Sequence, residues 1–328
     1  MPSVPKTDIW SLFGEIRQAE AGDATLLGHH LPGRHTDYIA KGSAGEPILL
    51  IRSHSKGPQR VPVRLRYLDV DYQVLCKVRD EAGKADIGDF VKIACRSDKP
   101  LLYPFFISSG EAIVGTLPAA PSEKEIYRCV EAFAELFSAL ARPSARSIKG
   151  LWAELFVLQI SSDCASMARA WHVDPEERFD FSRSEKHLEV KASESADRVH
   201  EFSVSQLRSA GKTAIVVASV LLQKSSGGIG ILDLAKRIEQ RLDRSTDLVP
   251  KLWRNIAESM GEDFDEDLDA KYDEQFASAS LRLVLAGDIP CVPVPLPIDV
   301  IDARLKVSLA NVVRSKSIDW KEVERDFI

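Results

Sequence analysis

Apolar positions along this chain repeat with two different periods, and the change from one to the other divides it. Ile9, Trp10, Leu12, Phe13 and Ile16 recur near helical spacing behind Thr7-Asp8, a good N-cap, so a short amphipathic helix is predicted there. From that helix to Leu117 the apolar runs are short or alternating. They comprise Ile48–Ile51, Val61–Leu68, Tyr72–Val78, Phe90–Cys95 and Leu101–Ile107, punctuated by Gly, Pro and Asp. They predict a β-rich N-terminal domain over residues 1–117, in which Pro100 and Pro104 assign Leu101–Ile107 to an edge strand.

The stretch Thr116 to Ser122, with Pro118 and Pro121, reads as a linker, and a second domain is expected over 118–328. Ser122 with Glu125 forms a capping-box pattern before Ile126, Val130, Phe133, Phe137 and Leu140, a long helix that Pro143 closes. A second helix runs from about Ser147 to Ile160. Phe179-Asp180-Phe181 and His187 to Ala192 read as two strands joined by the polar turn Ser182 to Lys186. A third strand at Val199–Val204, a short helix at Ser205–Ser209 and a buried strand at Thr213–Leu222 follow. Leu232–Leu242 and Leu248–Met260 are helical by periodicity, around a turn at Asp243–Asp247. The acidic run Glu262–Asp269 is a solvated loop without the glycine and ligand spacing of an EF-hand. Leu281–Ala286 and Leu305–Leu309 read as strands flanking the proline-rich Pro290–Pro297, and Ile318–Phe327 as a helix.

Composition narrows the class. A chain of 328 residues, 45% hydrophobic, can bury one large core or two ordinary ones. The longest apolar stretch, Ala214–Leu222, is too short to span a bilayer, and no secretory pattern is present, so a soluble cytoplasmic protein is expected. The five cysteines are scattered and show no C-x-x-C pair, which gives neither a disulfide framework nor a zinc ribbon. A net charge of -6 argues against a general nucleic-acid binder, but the acidity is concentrated in the last third. No acid lies between Glu46 and Asp69, where Arg52, Lys56, Arg60, Arg64 and Arg66 occur with His54. That run is a candidate phosphate-facing surface; charges protecting a strand edge account for it equally well.

Two positions stand out chemically. Alternation places Leu188, Val190 and Ala192 on one face of a strand and Glu189 and Lys191 on the other, side by side. A hairpin would bring Asp180 next to them, and two carboxylates with an ammonium suit a hard divalent cation and a phosphodiester. Acid-x-Lys alone is weak: Asp269-Ala270-Lys271 and Asp319-Trp320-Lys321 repeat it, and only Glu189-Val190-Lys191 sits on a strand pattern. Upstream, Glu154 shares a helical stripe with Leu151, Leu155 and Leu158. A buried acid is costly unless a cation or donor meets it, so Glu154 either joins the site, pairs with a neighbouring Lys or Arg, or snorkels at the stripe's edge. There is no H-E-x-x-H, G-x-S-x-G or G-x-x-x-x-G-K-[ST] to support a zinc protease, serine hydrolase or P-loop enzyme.

In this order, with Gly150-Leu151-Trp152-Ala153-Glu154-Leu155, Phe179-Asp180-Phe181, Leu188-Glu189-Val190-Lys191 and Ser205-Gln206-Leu207, the chain resembles the PD-(D/E)XK nuclease superfamily. More narrowly it looks like a bacterial family of PD-(D/E)XK motif proteins associated with restriction and phage-defence loci. Phe179 stands where the superfamily name has proline, a variable position. The resemblance implies an α/β fold, α+β overall, with a restriction-endonuclease-like α-β-β-β-α-β core, the β-rich N-terminal domain and a mixed helical C-terminal extension. It implies Mg²⁺, with Mn²⁺ as substitute, held by Asp180, Glu189 and the carbonyl of Val190, with Glu154 adding to the site directly or through water. Lys191 would orient or deprotonate the attacking water, and Gln206 would position substrate or Lys191, or simply cap its helix. The implied partners are DNA, subunits of a restriction or defence system such as an ATPase or methyltransferase, and a second copy in a homodimer. The implied activity is metal-dependent endonucleolytic cleavage; the other reading is a non-catalytic DNA-binding or assembly subunit of a defence complex that uses the same fold.

Overall fold

The computed structural model describes residues 9–18, 25–54, 60–96, 100–144, 147–174, 177–208, 214–242, 247–264, 268–292, 299–300 and 303–327. Lys56, the turn at 243–246, residues 265–267 of the acidic run and residues 293–297 of the proline-rich segment lie outside them. The chain forms two compact units, 1–144 with 244–265, and 145–243 with 266–328. The division falls at 144 and not at the proline-containing linker, because the helix after that linker packs into the first unit.

In the first unit, α1 (Ile9–Glu15) precedes β1 (Thr25–Leu31), β2 (Arg34–Lys41), β3 (Pro47–Arg52), β4 (Val63–Arg64), β5 (Leu68–Arg79) and β6 (Ala85–Cys95). The sheet order is β1-β2-β3-β6-β5-β4, and β1 also pairs in parallel with β5, which closes five strands into a ring. Tyr38, Ala40, Ile48, Leu50, Cys76, Val78 and Phe90 form one core cluster of this unit. β1 and β2 lie outside the apolar runs read from the sequence, and their buried positions do not alternate. Four consecutive residues of β2, Asp37, Tyr38, Ile39 and Ala40, are buried because both faces of the strand are covered. The two join through Pro32-Gly33, where Gly33 takes a φ of 75° that a residue with a Cβ rarely adopts.

Leu101–Ile107 is not an edge strand. It begins α2 (Leu102–Gly115), with Pro104 in the first turn, where backbone N–H groups have no intrahelical acceptor and a proline removes nothing. The linker ends at Ser122, which caps α3 (Glu123–Ala139) with the expected reciprocal box: Ser122 N donates to Glu125 Oε2 at 2.7 Å, and Glu125 N donates to Ser122 Oγ at 3.4 Å.

The second unit opens with α4 (Ile148–Ile160), capped by Ser147 Oγ, which accepts from Gly150 N at 3.2 Å. α5 (Cys164–Ala170), β7 (Phe181–Arg183), β8 (Lys186–Ser193), β9 (Val199–Ser203), α6 (Val204–Arg208), β10 (Ala214–Leu221), β11 (Lys224–Ile229) and α7 (Ile231–Arg241) follow. After α7 the chain returns to the first unit as α8 (Leu248–Met260), whose Trp253 meets Phe105 of α2 edge to face at 5.6 Å. α9 (Glu274–Ser280), β12 (Arg282–Leu285), β13 (Arg304–Ser308) and α10 (Trp320–Arg325) complete the second unit.

Its main sheet has the order β12-β10-β8-β7, with β10 parallel to β8 and both edge strands antiparallel. Between β8 and β10 the chain runs out through β9, which takes its ladder from β13 in a separate antiparallel ribbon. α4 lies against β8 and α7, and every residue from Leu151 to Leu158 is buried, so its apolar stripe has become a whole circumference. The fold is α+β. Among the described residues no helix is long and apolar enough to cross a membrane.

Candidate active site

β7 and β8 form a tight hairpin. Phe181 is opposite Leu188 and Arg183 opposite Lys186, with Ser184 at φ 52° in the two-residue turn. One step beyond the last pair, Asp180 stands at the entry to β7, against Glu189. Its Oδ2 accepts a hydrogen bond from the backbone N–H of Val190 at 2.7 Å. Alternation holds for Leu188 and Val190, which face the core. Glu189 faces away from them yet is only 5% exposed, because the opposite face of β8 is the floor of a cleft.

That cleft, about 960 Å³, belongs to the second unit alone. Glu154, Asp180, Glu189, Val190, Lys191 and Gln206 all line it, together with Arg178, His200, Glu201 and Arg304. Lys191 Nζ lies 2.6 Å from Glu189 Oε1 and 5.4 Å from the centre of the Phe202 ring. Glu189 Oε2 is buried and has no hydrogen-bond partner among the described residues. A buried carboxylate oxygen without a donor carries a desolvation cost that a cation would remove.

The carboxylates are not gathered into one ready cage: among the described residues no group of three or more His, Cys, Asp or Glu side chains is arranged around an ion. Two carboxylates and a carbonyl nevertheless fit Mg²⁺, which ordinarily takes one or two carboxylates and leaves its other positions to water and substrate phosphate. Asp180, Glu189 and the Val190 carbonyl are such a set, and Glu189 Oε2 is the atom in it that lacks a partner.

Glu154 is held by an indole and an imidazole from the segment that follows α5. It is 2% exposed, and its Oε2 accepts from Trp171 Nε1 at 2.7 Å and lies 3.1 Å from His172 Nε2. Gln206 makes the cap that its position at the head of α6 suggests. Its Oε1 accepts from Ser203 N at 3.0 Å, and Ser203 Oγ accepts from Gln206 N at 3.1 Å. Its amide also reaches across the cleft wall, Nε2 donating to the Arg178 carbonyl at 2.7 Å.

Behind Lys191 lies a polar layer that the sequence did not disclose. Ser219, its register partner on β10, bonds through Oγ to His200 Nε2 at 2.8 Å and to Arg198 Nη1 at 2.9 Å. Burial, and then the charges of Lys191 and Arg198, push the His200 imidazole down to about 4, so it is neutral at pH 7. Burial and the neighbouring Arg282 also lower Arg198. His187 is stacked on Phe179 at 4.5 Å with Nδ1 2.9 Å from Ser182 Oγ, a strand-surface contact outside the lining of the cleft.

The basic run of the first unit is engaged. Arg52 pairs with Asp86 and lies over the Phe90 ring, Arg64 pairs with Asp71, and Arg66 reaches Glu262 at 3.3 Å. Arg60 lies 3.4 Å from the centre of the Tyr127 ring. These four are therefore not an open row of cations: acids pair with three of them, two from far along the chain and one, Asp71, from the next strand, and Arg64 lies on β4 at the edge of the sheet. The cationic residues at the cleft itself are Lys191, Arg178 and Arg304. Arg178 abuts the Phe-Asp-Phe motif, while Arg304 arrives from a strand over a hundred residues away and carries no local signal.

No curated protein and no solved structure matches the chain. Residues 11–310 match the model of the family described as "Putative PD-(D/E)XK family member, (DUF4420)", so the chain belongs to that family.

Proposed function

We propose that this chain is a metal-dependent DNA endonuclease of a restriction or phage-defence system, with α4, β7, β8, β9, α6 and β10 as its α-β-β-β-α-β nuclease core. The observation that carries the reading is the buried Oε2 of Glu189, without a hydrogen-bond partner among the described residues, beside Asp180 and Lys191 in a cleft that Arg178 and Arg304 also line. Asp180, Glu189 and the Val190 carbonyl would hold Mg²⁺ or Mn²⁺. The cation supplies Lewis-acid polarisation of a phosphoryl oxygen and offsets charge on the leaving oxygen.

The chain's own groups do the rest. Glu189 keeps the Lys191 ammonium in the cleft by their 2.6 Å contact, and the Phe202 ring bounds its other side. Lys191 orients the attacking water and offsets the phosphate charge, while Arg178 and Arg304 are placed to steer the backbone of the nucleic acid. A water oxygen then bonds to phosphorus, the phosphoester P–O bond breaks, the water proton passes to a base in the cleft, and the departing oxygen is protonated from solvent. Cytoplasmic DNA, neighbouring ATPase or methyltransferase subunits and a second copy of the chain are the partners this reading entails.

Supercoiled and linear plasmid incubated with the full chain and Mg²⁺ or Mn²⁺ provides the test. Nicking or linearisation that EDTA, Asp180→Asn, Glu189→Gln and Lys191→Ala each abolish is the expected result. Cleavage that survives those substitutions sinks it. DNA binding without cleavage, unchanged by metal and by all three variants, would instead make the chain a non-catalytic assembly subunit.

A further inference from the structure

We infer that Glu154 is a positioning residue that fixes Asp180 through Trp171 and His172, its Oε2 being committed to those two groups and not to the cation. The inference rests on the metal-site reading above and assigns one of its carboxylates a different task. The Trp171 indole N–H donates to Glu154 Oε2 at 2.7 Å, and in the tautomer with its proton on Nε2 the His172 imidazole donates to the same oxygen at 3.1 Å. Two donors already occupy that oxygen. A cation there would have to displace an indole N–H inside a fully buried cluster, which leaves a buried donor unsatisfied.

The two donors lead to the site. His172 N donates to the Asp180 carbonyl at 2.9 Å, and Trp171 forms an antiparallel bridge with Phe181. β7 is three residues long, and Asp180 lies just outside it, so the ladder to β8 alone does not fix that backbone. It is held from two sides: from α4 by way of Glu154, Trp171 and His172, and from α6 by the Gln206 amide on the Arg178 carbonyl. With the main chain so held, Asp180 Oδ2 reaches the Val190 N–H at 2.7 Å and stays beside Glu189. A group that orients a metal ligand in this way contributes about 10–100-fold to metal affinity without touching the ion.

Conservative rescue separates the two roles. Glutamine at 154 keeps an acceptor oxygen for both donors but loses the charge that a ligand needs; leucine loses both. Mn²⁺ alone is titrated calorimetrically into the DNA-free full chain carrying Glu154→Gln, Glu154→Leu or Glu189→Gln, with folding checked by circular dichroism. The expected result is affinity within about threefold of the parent for Glu154→Gln and a loss of about tenfold or more for both Glu154→Leu and Glu189→Gln. Loss in Glu154→Gln equal to that in Glu189→Gln makes Glu154 a ligand and overturns the inference while leaving the nuclease reading intact. Unchanged affinity in Glu154→Leu with only a lower melting temperature makes the residue merely structural and overturns it as well. Should Glu154→Leu fail to fold, the glutamine variant decides alone. A parent chain that takes up no Mn²⁺ removes the metal-site reading and this inference with it.

Discussion

Replacing Lys191 with alanine removes the donor from Glu189 Oε1, held at 2.6 Å, and the other oxygen of that carboxylate already has none among the described residues. The variant therefore leaves a carboxylate that is 5% exposed with no side-chain donor among the described residues. Losing a hydrogen bond to a charged group costs about 1.5–3 kcal/mol, and the 23% exposure of the Lys191 side chain places this case in the lower half, near 2 kcal/mol. For a unit of roughly 160 residues that is a fall of about 4–8 °C in melting temperature, measured by scanning calorimetry in EDTA. Mn²⁺ should then reverse the deficit. A cation at 100 times its dissociation constant stabilises any site by about 2.7 kcal/mol, and here it also relieves the uncompensated charge, so the variant gains more from Mn²⁺ than the parent does. A variant that melts with the parent in EDTA would show that the pair contributes nothing. A deficit that Mn²⁺ leaves untouched would place Glu189 out of reach of the ion.

Three further outcomes are expected. His200 is neutral in the fold and lowered from 6.5 to about 4, so the unfolded chain binds the proton first; its contribution is complete above pH 6.5 and is lost as the pH falls towards 4. The loss amounts to about 3 kcal/mol, and a His200→Gln chain should show a correspondingly flatter dependence of melting temperature on pH over that window. Arg304 has no carboxylate partner among the described residues, whereas Lys306 on the same strand pairs with Glu201 at 3.2 Å. In EDTA, Arg304→Ala should lower the slope of log affinity for duplex DNA against log salt by about 0.9, and Lys306→Ala by clearly less; equal slopes for the two would refute the assignment. Arg52→Ala should destabilise the first unit by about 1–2 kcal/mol in denaturant titration, since it removes the bond to Asp86 and the contact with Phe90, and it should leave DNA affinity unchanged.

Local sequence carried the parts of this site that lie close together in the chain. The Ser122 and Ser147 caps, the hairpin of β7 and β8, and the pairing of Glu189 with Lys191 all depend on residues within a few positions of one another. Glu154 was legible as an acid on an apolar helix, but its partners Trp171 and His172 lie 17 and 18 residues on, and no periodicity links them. β9 pairs with a strand a hundred residues later, so its separation from the main sheet is a tertiary fact. The partners of the basic run were hidden for the same reason: a row of arginines shows its charge in sequence, while Asp86 and Glu262, which pair with Arg52 and Arg66 from 34 and 196 residues away, carry no local signal. Leu101–Ile107 misled differently, since Pro104 forbids the middle of a helix but not its first turn.

The return of α8 to the first unit has a consequence for how the protein is made. Residues 1–144 emerge from the ribosome well before Trp253, the ring that covers Phe105, and at about 5–20 residues per second roughly 100 intervening residues take about 5–20 s to appear. For that interval the side of α2 and α3 that α8 covers, Phe105 included, waits without it, while the hairpin segment that carries Asp180 and Glu189 is already being synthesised. The order of synthesis is thus not the order of assembly, and a chain stopped after residue 144 would carry that sticky face permanently.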